Sequence, residues 1–278
     1  MGQHAQIPEA DVIVIGAGAF GYATAWQLAK HGAGRVVLID RGTPGDGSSA
    51  RAAGLFKTVQ ADELLTRLSL RSREIVLGFE RDTGVPLAVE RSGSILAART
   101  PAHADLIRAE IAHSLGWGVD LAVVDSAEAA RIAPYLDTTG FTIAVHCPDD
   151  MYVEEPPELL ASVHAAAEKA GVRILGSTMA TALLVDRGEI AGVDTPDGAI
   201  AAPVVVDAAG AWARQVGASG GAQVPLVNVR HQFAITDPVA GVDAGMPITR
   251  VIDASGYLRP CHGGLMVGSF ESSPVEYD

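Results

Sequence analysis

The stretch DVIVIGAGAFG, Asp11 to Gly21, constrains the fold more than any other part of the chain. Asp11 to Ile15 is β-branched and apolar, which predicts a fully buried parallel strand. Helical spacing then runs from Ala19 to His31, and three glycines in the pattern G-x-G-x-x-G join the two segments: Gly16, Gly18 and Gly21. The first permits a tight turn, the second lets the backbone approach a pyrophosphate, and the third lets the helix pack on the strand. The free N–H groups at the helix N-terminus favour a phosphate at this position.

A second apolar strand, Arg35 to Ile39, ends directly before Asp40. Strand, helix and strand together have the size of a βαβ unit, about 30 residues. Asp40 stands where a carboxylate hydrogen-bonds the ribose hydroxyls of a dinucleotide. An acid at this position favours an adenosine ribose without a 2′-phosphate, which leaves NAD and FAD as alternatives.

Composition excludes several classes of partner. The 278 residues carry a net charge of −13, whereas proteins that bind nucleic acid or anionic membranes present basic surfaces. Two distant cysteines, Cys147 and Cys261, form no disulfide framework, so we expect a cytoplasmic protein. No apolar run is long enough to span a bilayer. We predict no metal site, because the cluster His146, Cys147, Asp149 and Asp150 lacks zinc-ligand spacing.

The order of predicted elements indicates an α/β protein with two interleaved domains. We expect a Rossmann-like nucleotide domain from residues 1–84 and 154–217, and a mixed α+β substrate domain, with an antiparallel-rich sheet, from 85–153 and 218–278. A helix is predicted over Asp62–Arg81, with an apolar side of Leu64, Leu65, Leu68, Ile75, Leu77 and Phe79. Thr181–Val185 and Ile190–Asp194 predict a hairpin, and Leu226–Thr236 predicts one long strand.

Two later segments favour FAD over NAD. GSSARAAGL, Gly47 to Leu55, is a small-residue loop that can run close beside a flat ring, and VVVDAAGAWA, Val204 to Ala213, is a distant strand with a second small-residue turn. A nicotinamide enzyme more often continues through further βαβ units. With GAGAFG, LIDR, RHQFAIT, YLRP and GGLMVGSFE, these segments resemble the D-amino-acid oxidase superfamily of FAD enzymes, closest to its sarcosine and dimethylglycine dehydrogenase and oxidase branch. The resemblance implies FAD and oxidation of an amine at its carbon–nitrogen bond.

The resemblance also assigns cofactor residues. The ADP half would be held by the glycine turn and the end of the second strand: Gly16, Gly18, Ala19, Phe20, Gly21, Asp40 and Arg41. The ribityl chain and the flavin ring would be lined by Ser48, Ser49, Arg51, Ala53, Gly54 and Leu55. Met179 would meet the adenine side, and Ala209, Gly210 and Trp212 would close over the pyrophosphate. In relatives with covalent FAD a histidine precedes the AAGL-like run, and Arg51 stands there instead, so we expect non-covalent FAD.

Three residues are candidates for the chemistry. Arg259 has a planar guanidinium that matches a carboxylate, and Tyr257, two residues earlier on a strand, would project from the same face. The resemblance places a histidine and a tyrosine at the substrate, and we carry these roles onto His231 and Tyr257. A neutral histidine near the substrate would help to keep the amine unprotonated, which the oxidation requires.

Single-chain sarcosine oxidases have a lysine in the GL-x-x-G strand for reaction with oxygen, whereas this chain has Met266, and we expect none of its three lysines, Lys30, Lys57 and Lys169, near that point. This favours a dehydrogenase with an unidentified electron acceptor. Relatives continue beyond Asp278, so we expect a fragment or a second chain that completes the pocket. Two alternatives stay open: an NAD(P)-dependent dehydrogenase, and a non-catalytic FAD-binding subunit completed by a partner chain.

Overall fold

The computed structural model describes residues 9–277 of the chain. Its helices are α1 (Ala19–Lys30), α2 (Glu63–Leu77), α3 (Phe79–Thr83), α4 (Pro101–Gly116), α5 (Ser126–Ile132), α6 (Pro156–Lys169) and α7 (Ala213–Ser219). The strands are β1 (Val12–Ile15), β2 (Val36–Ile39), β3 (Leu55–Phe56), β4 (Ser94–Ala98), β5 (Ala122–Val124), β6 (Ile143–Cys147), β7 (Met151–Tyr152), β8 (Arg173–Leu175), β9 (Ala182–Asp186), β10 (Glu189–Asp194), β11 (Ile200–Ala201), β12 (Val204–Asp207), β13 (Asn228–Arg230), β14 (Gln232–Ile235), β15 (Ile248–Val251), β16 (Gly256–Cys261), β17 (Gly264–Ser269) and β18 (Val275–Tyr277).

The predicted nucleotide-binding sheet is parallel and has the strand order β12-β1-β2-β8. β1 and β2 are buried along their whole length, as their continuous β-branched sequences indicate. α1 and α6 cover one face, where Tyr22, Trp26 and Leu160 join the core. The other face carries the antiparallel sheet β11-β10-β9. The predicted hairpin is confirmed, and Arg187 and Gly188 form its turn with positive φ angles of 52° and 89°.

The second layer is a seven-stranded sheet in the order β14-β17-β16-β15-β4-β6-β5. Only the contact of β15 with β4 is parallel, and the other pairs are antiparallel. We call this layer the substrate sheet. The predicted fold class, a Rossmann-like layer with an antiparallel-rich second sheet, is confirmed. Strands from the first and third predicted pieces share the parallel sheet, which supports the proposed discontinuous domains; their exact boundaries stay a prediction.

Two predictions about single elements are wrong. The segment Leu226–Thr236 forms two strands in different sheets, because β13 pairs with β18 while β14 pairs with β17, and His231 lies at the break. The helix predicted over Asp62–Arg81 is interrupted at Gly78. Three leucines of its predicted apolar side are also exposed, and the exposed fractions are 68% for Leu64, 45% for Leu65 and 55% for Leu68. Helical spacing therefore identified an amphipathic helix but not whether other parts of the chain cover its apolar face.

Among residues 9–277, no helix combines the length and the hydropathy that crossing a bilayer requires. Cys147 and Cys261 are both buried free thiols.

Candidate functional site

A cavity of about 450 Å³ opens at the carboxyl ends of β1, β2 and β12. Ligands of open α/β sheets bind at this edge. Twelve of the residues predicted to hold FAD line it: Gly16, Gly18, Ala19, Phe20, Asp40, Arg41, Ser48, Ser49, Met179, Ala209, Gly210 and Trp212. The cavity therefore brings together four segments that are distant in the sequence.

The glycine turn has the geometry that its sequence predicts. Gly16 has a positive φ of 101°, and a Cβ there would overlap the carbonyl oxygen of Ala208, directly after the neighbouring strand β12. A Cβ on Gly21 would overlap the carbonyl oxygen of Gly16, so this glycine serves packing and does not line the cavity. Between them, Gly18 leaves the space beside Ser49 open. A side chain at any of these positions would displace backbone or fill the cavity.

Asp40 is fixed by the backbone. One carboxylate oxygen accepts the Ala17 N–H at 2.8 Å, and the other accepts the Gly42 N–H at 2.8 Å. The carboxylate lines the cavity at the end of β2. Because each oxygen has further lone pairs, it can still accept hydrogen bonds from ribose hydroxyls.

The outer wall of the cavity contains a stacked pair. The guanidinium carbon of Arg41 lies 3.5 Å from the ring centroid of Trp212. Both residues were predicted at the cofactor, but neither sequence segment indicated that they touch each other. The contact joins the end of β2 to the turn after β12, so it holds the two sides of the cavity together.

The loop after β2 approaches the helix start. The Ser49 hydroxyl accepts the N–H of Ala19 at 3.0 Å. Arg51 turns back and donates to the carbonyls of Asp46 and Gly47, so it braces its own loop. Arg51 does not line the cavity, and neither do the residues that follow it, Ala53, Gly54 and Leu55.

The residues present fit an FAD. The N-cap residue Gly18 supplies no side-chain acceptor and the first turn of α1 has no acidic residue, so beyond the Ala19 N–H that Ser49 accepts, N–H groups there remain available to a diphosphate. Gly18 gives the diphosphate the room that a Cβ would occupy. Asp40 and the Arg41–Trp212 pair supply a ribose acceptor and a flat surface at the other end of the cavity. Local patterns gave no signal for further lining residues, such as Thr43, Thr178 and Gln215.

Tyr257 connects the loop to the substrate sheet. It is buried and packs with Cys261 and Met266 against Ala53 and Leu55, the end of the loop predicted at the flavin. Its ring lies across the Cα of Gly268, where a Cβ would overlap it. Burial raises the pKa of the Tyr257 hydroxyl.

His231 lies near Tyr257, as the paired prediction for these residues requires. Phe270 packs between them, with ring centroids 5.2 Å from His231 and 5.8 Å from Tyr257. The Nδ1 of His231 is 3.1 Å from a carboxylate oxygen of Glu271. Hydrogen bonds from its own backbone and from His231 hold the pKa of Glu271 below its ordinary value. With Nδ1 donating to Glu271, Nε2 keeps its lone pair.

Arg259 does not match the carboxylate-binding role predicted from the sequence. Its side chain is fully buried, and its guanidinium donates to three carbonyls, those of Ala53 at 2.8 Å, Pro260 at 2.7 Å and Glu154 at 3.2 Å. The guanidinium also lies 4.8 Å from the ring centroid of Tyr152. Each of its three nitrogens therefore already donates to a backbone carbonyl, and Arg259 ties the loop at Ala53 to β16 as a positioning residue.

A different arginine on the same face of the sheet has free donors. Arg250 on β15 stands opposite Tyr257 on β16, and directly opposite residues of an antiparallel pair share a face. Its Nε and Nη2 are buried and have no hydrogen-bond partner within residues 9–277. Each such unpaired buried donor costs about 1–3 kcal/mol. The sequence analysis missed this residue, because its importance depends on strand register.

Lys57 lies in the segment that runs from the cofactor loop to the substrate sheet. It follows β3, whose Leu55 packs on Tyr257, and precedes Val59, which packs on Leu96 of β4. Burial of its ammonium group, together with the charge of Arg250, lowers the pKa of Lys57. The expectation that no lysine lies near Met266 stays a prediction.

The sequence analysis predicts no metal site in the cluster His146, Cys147, Asp149 and Asp150, and the two acidic residues of this cluster have separate partners. Asp150 is buried and accepts hydrogen bonds from Thr58 and Ser94, while Asp149 pairs with Arg73. A different group, Glu154, Cys261 and His262, brings one potential ligand atom from each within 4.8 Å. Its histidine is engaged by Glu154 and Glu155, and burial raises the pKa of the Cys261 thiol. Contacts with Glu154 and Glu155 therefore position His262, and the raised pKa favours the protonated thiol of Cys261.

Comparison with known proteins gives one consistent result. Residues 11–278 match the family model described as DAO, FAD dependent oxidoreductase. The chain is similar to human sarcosine dehydrogenase, with 30% identity over 97% of this chain, and to human dimethylglycine dehydrogenase, with 30% identity over 95%. It spans 30% and 31% of the lengths of those relatives. The structure of L-proline dehydrogenase from P. horikoshii superposes with a TM-score of 0.88 at 26% identity, covering 96% of this chain and 71% of that one.

Proposed function

The chain belongs to the DAO family of FAD-dependent oxidoreductases, and from this premise we propose that it oxidises a small amino acid at its carbon–nitrogen bond, with an N-methylated amino acid such as sarcosine or dimethylglycine as the substrate. The relatives named for these two substrates support the proposal. The observation that carries it is the direct packing of Ala53 and Leu55, at the end of the cofactor loop, against Tyr257 of the substrate sheet.

Bound FAD would supply the redox chemistry, acceptance of two electrons from the carbon beside the amine nitrogen. The protein must place that carbon and keep the nitrogen unprotonated. Tyr257 gives the pocket a rigid wall, since its ring is fixed between Gly268 and Phe270. His231, oriented by Glu271, offers a lone pair to the ammonium group of the substrate and can take its proton.

We also propose that FAD is bound without a covalent link. Arg51 stands where the relatives with covalent FAD have a histidine, and its guanidinium is engaged by Asp46 and Gly47. A guanidinium stays protonated at any physiological pH and is no nucleophile. Denaturation in acid should therefore release all of the yellow cofactor into the supernatant, and flavin that stays with the precipitated protein would contradict this part.

An anaerobic screen tests the activity. The FAD-loaded protein is mixed under nitrogen with sarcosine, dimethylglycine, D-alanine, L-proline or NADH, and the long-wavelength flavin absorbance is followed. We expect bleaching by an N-methylated amino acid and none by NADH. If no amine bleaches the flavin, the protein acts as a non-catalytic FAD-binding subunit; if the protein binds no FAD at all, the dinucleotide assignment fails as well.

A variant tests the role of His231. His231→Gln should lower the rate of flavin reduction by about 100-fold near neutral pH, in the range of general acid–base effects. The defect should shrink as the pH is raised, because the free amine then loses its proton without help. A defect that is the same at every pH would show that His231 acts only through packing on Phe270.

A further inference from the structure

Three potential metal ligands of different chemistry meet where the turn between β16 and β17 approaches the start of α6. The sulfur of Cys261, a carboxylate oxygen of Glu154 and a ring nitrogen of His262 all lie within 4.8 Å of one another. None of the three lines the cofactor cavity, and the proposed amine oxidation gives them no task. Sequence analysis missed this group, because its members lie far apart in the chain and form no spacing motif.

The separations resemble those of ligands around one zinc ion. Zinc–ligand bonds of about 2.0–2.3 Å in a tetrahedron place neighbouring ligand atoms about 3.5 Å apart. The Nδ1 of His262 is 3.6 Å from Oε1 of Glu154, which matches that spacing and is too long for a hydrogen bond. The side chain of His262 is exposed and that of Glu154 is half-buried, so rotation of both can bring the remaining atoms to the same spacing.

The histidine ring is oriented as in a metal ligand. Its Nε2 lies 3.0 Å from a carboxylate oxygen of Glu155, and histidine ligands usually donate their second N–H to such a carboxylate. With the proton on Nε2, the lone pair of Nδ1 is left on the side of Glu154. The backbone N–H of His262 donates to Oε1 of Glu154 at 2.6 Å, which fixes this carboxylate beside the ring. A cation shared by Nδ1 and the carboxylate would stabilise this arrangement.

The thiol fits a divalent ion by charge. Burial raises the pKa of Cys261, whereas the guanidinium of Arg259 acts in the opposite direction. A bound metal ion replaces the thiol proton, which is released to the solvent. The thiolate and the carboxylates of Glu154 and Glu155 then have three negative charges, and Arg259 and a divalent ion have three positive ones. The charges of the group therefore cancel when a divalent metal is bound.

The donor atoms indicate the class of metal. One sulfur, one imidazole nitrogen and one carboxylate oxygen suit zinc, whereas calcium and magnesium take oxygen ligands. Because His262 is exposed, a water molecule can complete the tetrahedron. The other free cysteine, Cys147, belongs to no such group of ligands within residues 9–277.

We propose that Glu154, Cys261 and His262 bind a zinc ion, and that Glu155 orients the histidine. The ion would join the turn of the substrate sheet to the segment before α6, a helix that covers the parallel sheet. Arg259 already links these two parts, since it donates to the backbone carbonyl of Glu154. The metal is structural in this proposal, which does not depend on the proposed amine oxidation.

Metal titration tests the proposal. The FAD-loaded protein, without an affinity tag and treated with a chelator, is titrated calorimetrically with zinc and, in a separate sample, spectroscopically with cobalt(II). We expect one zinc ion per chain with a Kd of about 1 μM or lower. Cobalt should give the intense bands of a tetrahedral thiolate complex at longer wavelengths than oxidised flavin absorbs. Zinc at about 100 times its Kd should raise the melting temperature by about 5–10 °C.

Two variants with a matched control identify the ligands. Glu155→Gln should raise the Kd for zinc by about 10-fold, the effect of losing a carboxylate that orients a histidine ligand. Cys261→Ser removes a ligand itself and should raise it by more than about 100-fold, with loss of the cobalt bands. Cys147→Ser removes the other buried thiol and should leave the Kd and the bands unchanged.

Two results would overturn the proposal. One is an unchanged protein that binds no zinc in this range, in which case His262 is an imidazolium between two carboxylates. The other is a Cys261→Ser variant that binds zinc as tightly as the unchanged protein. If Cys261→Ser does not fold, His262→Asn decides by the same criterion, because asparagine tolerates the positive φ of 50° at this position. Flavin bleaching by amines is measured separately, so a failure to bind zinc leaves the proposed function intact.

Discussion

Two arginines on one face of the substrate sheet, Arg259 and Arg250, differ in how the N–H donors of their guanidinium groups are paired. Arg259 is fully buried, donates to three carbonyls and stacks near Tyr152. Arg250, one strand away, keeps two buried donors without partners. A buried arginine whose donors are paired holds the protein together, whereas one with unpaired buried donors costs stability. The comparison teaches that the hydrogen bonds an arginine makes, and not its residue type, show whether it stabilises the fold.

The same contrast distinguishes the two layers. In the cofactor layer, backbone N–H groups hold both oxygens of Asp40. In the substrate layer, Nε and Nη2 of Arg250 are buried and have no hydrogen-bond partner within residues 9–277. Hydrogen-bond partners are thus complete around Asp40 and incomplete around Arg250 within the described residues.

The largest expected effect comes from removing the satisfied arginine. Arg259→Met leaves three carbonyls without a donor, so we expect a loss of at least about 3 kcal/mol in the free energy of unfolding. Urea denaturation of the FAD-loaded protein measures it. Arg250→Met is the matched comparison on the same face and should show no loss. Equal destabilisation by the two substitutions would break the contrast.

A smaller effect is expected where Tyr257 lies over Gly268. Gly268→Ala forces the ring aside, which should cost about 1–3 kcal/mol, in the range of overpacked positions. In a Tyr257→Ala background the same substitution should cost close to nothing, because the overlapping ring is gone. Gly256→Ala is the control, since a Cβ there meets its nearest atom only at 3.5 Å. Additive costs in the double variant would contradict the contact.

The fixed carboxylate of the cofactor layer gives the next prediction. Asp40→Asn retains only one acceptor oxygen for the two N–H groups of Ala17 and Gly42, so the Kd for FAD should rise by about 10-fold, equivalent to 1.4 kcal/mol. Asp137→Asn is the control, because Asp137 accepts two bonds from Thr139 away from the cavity. Fluorescence titration with FAD measures both. An unchanged Kd in Asp40→Asn would remove Asp40 from the cofactor site.

Much of the cofactor layer could be predicted because its signals are local. A buried apolar strand, glycines at fixed offsets and an acid after the next strand act over short distances, and Gly16, Gly18 and Asp40 all line the cavity at the strand ends. The prediction of one long strand over Leu226–Thr236 was wrong because the alternation of residues along one segment does not show which sheet each half joins. The predicted burial of Leu64, Leu65 and Leu68 was also wrong, because burial depends on which surfaces the rest of the chain covers.

The sequence by itself predicted a dinucleotide-binding turn and showed a resemblance to FAD enzymes, because turn geometry and phosphate binding depend on residues close together in the chain. Only the tertiary structure decided which cation is free. Arg259 and Arg250 lie on strands of similar sequence character, and their roles separate only when register places carbonyls around the first and none around the second. Hydrogen bonding and electrostatic pairing act over a few ångströms in space, and the distance along the chain does not fix that separation.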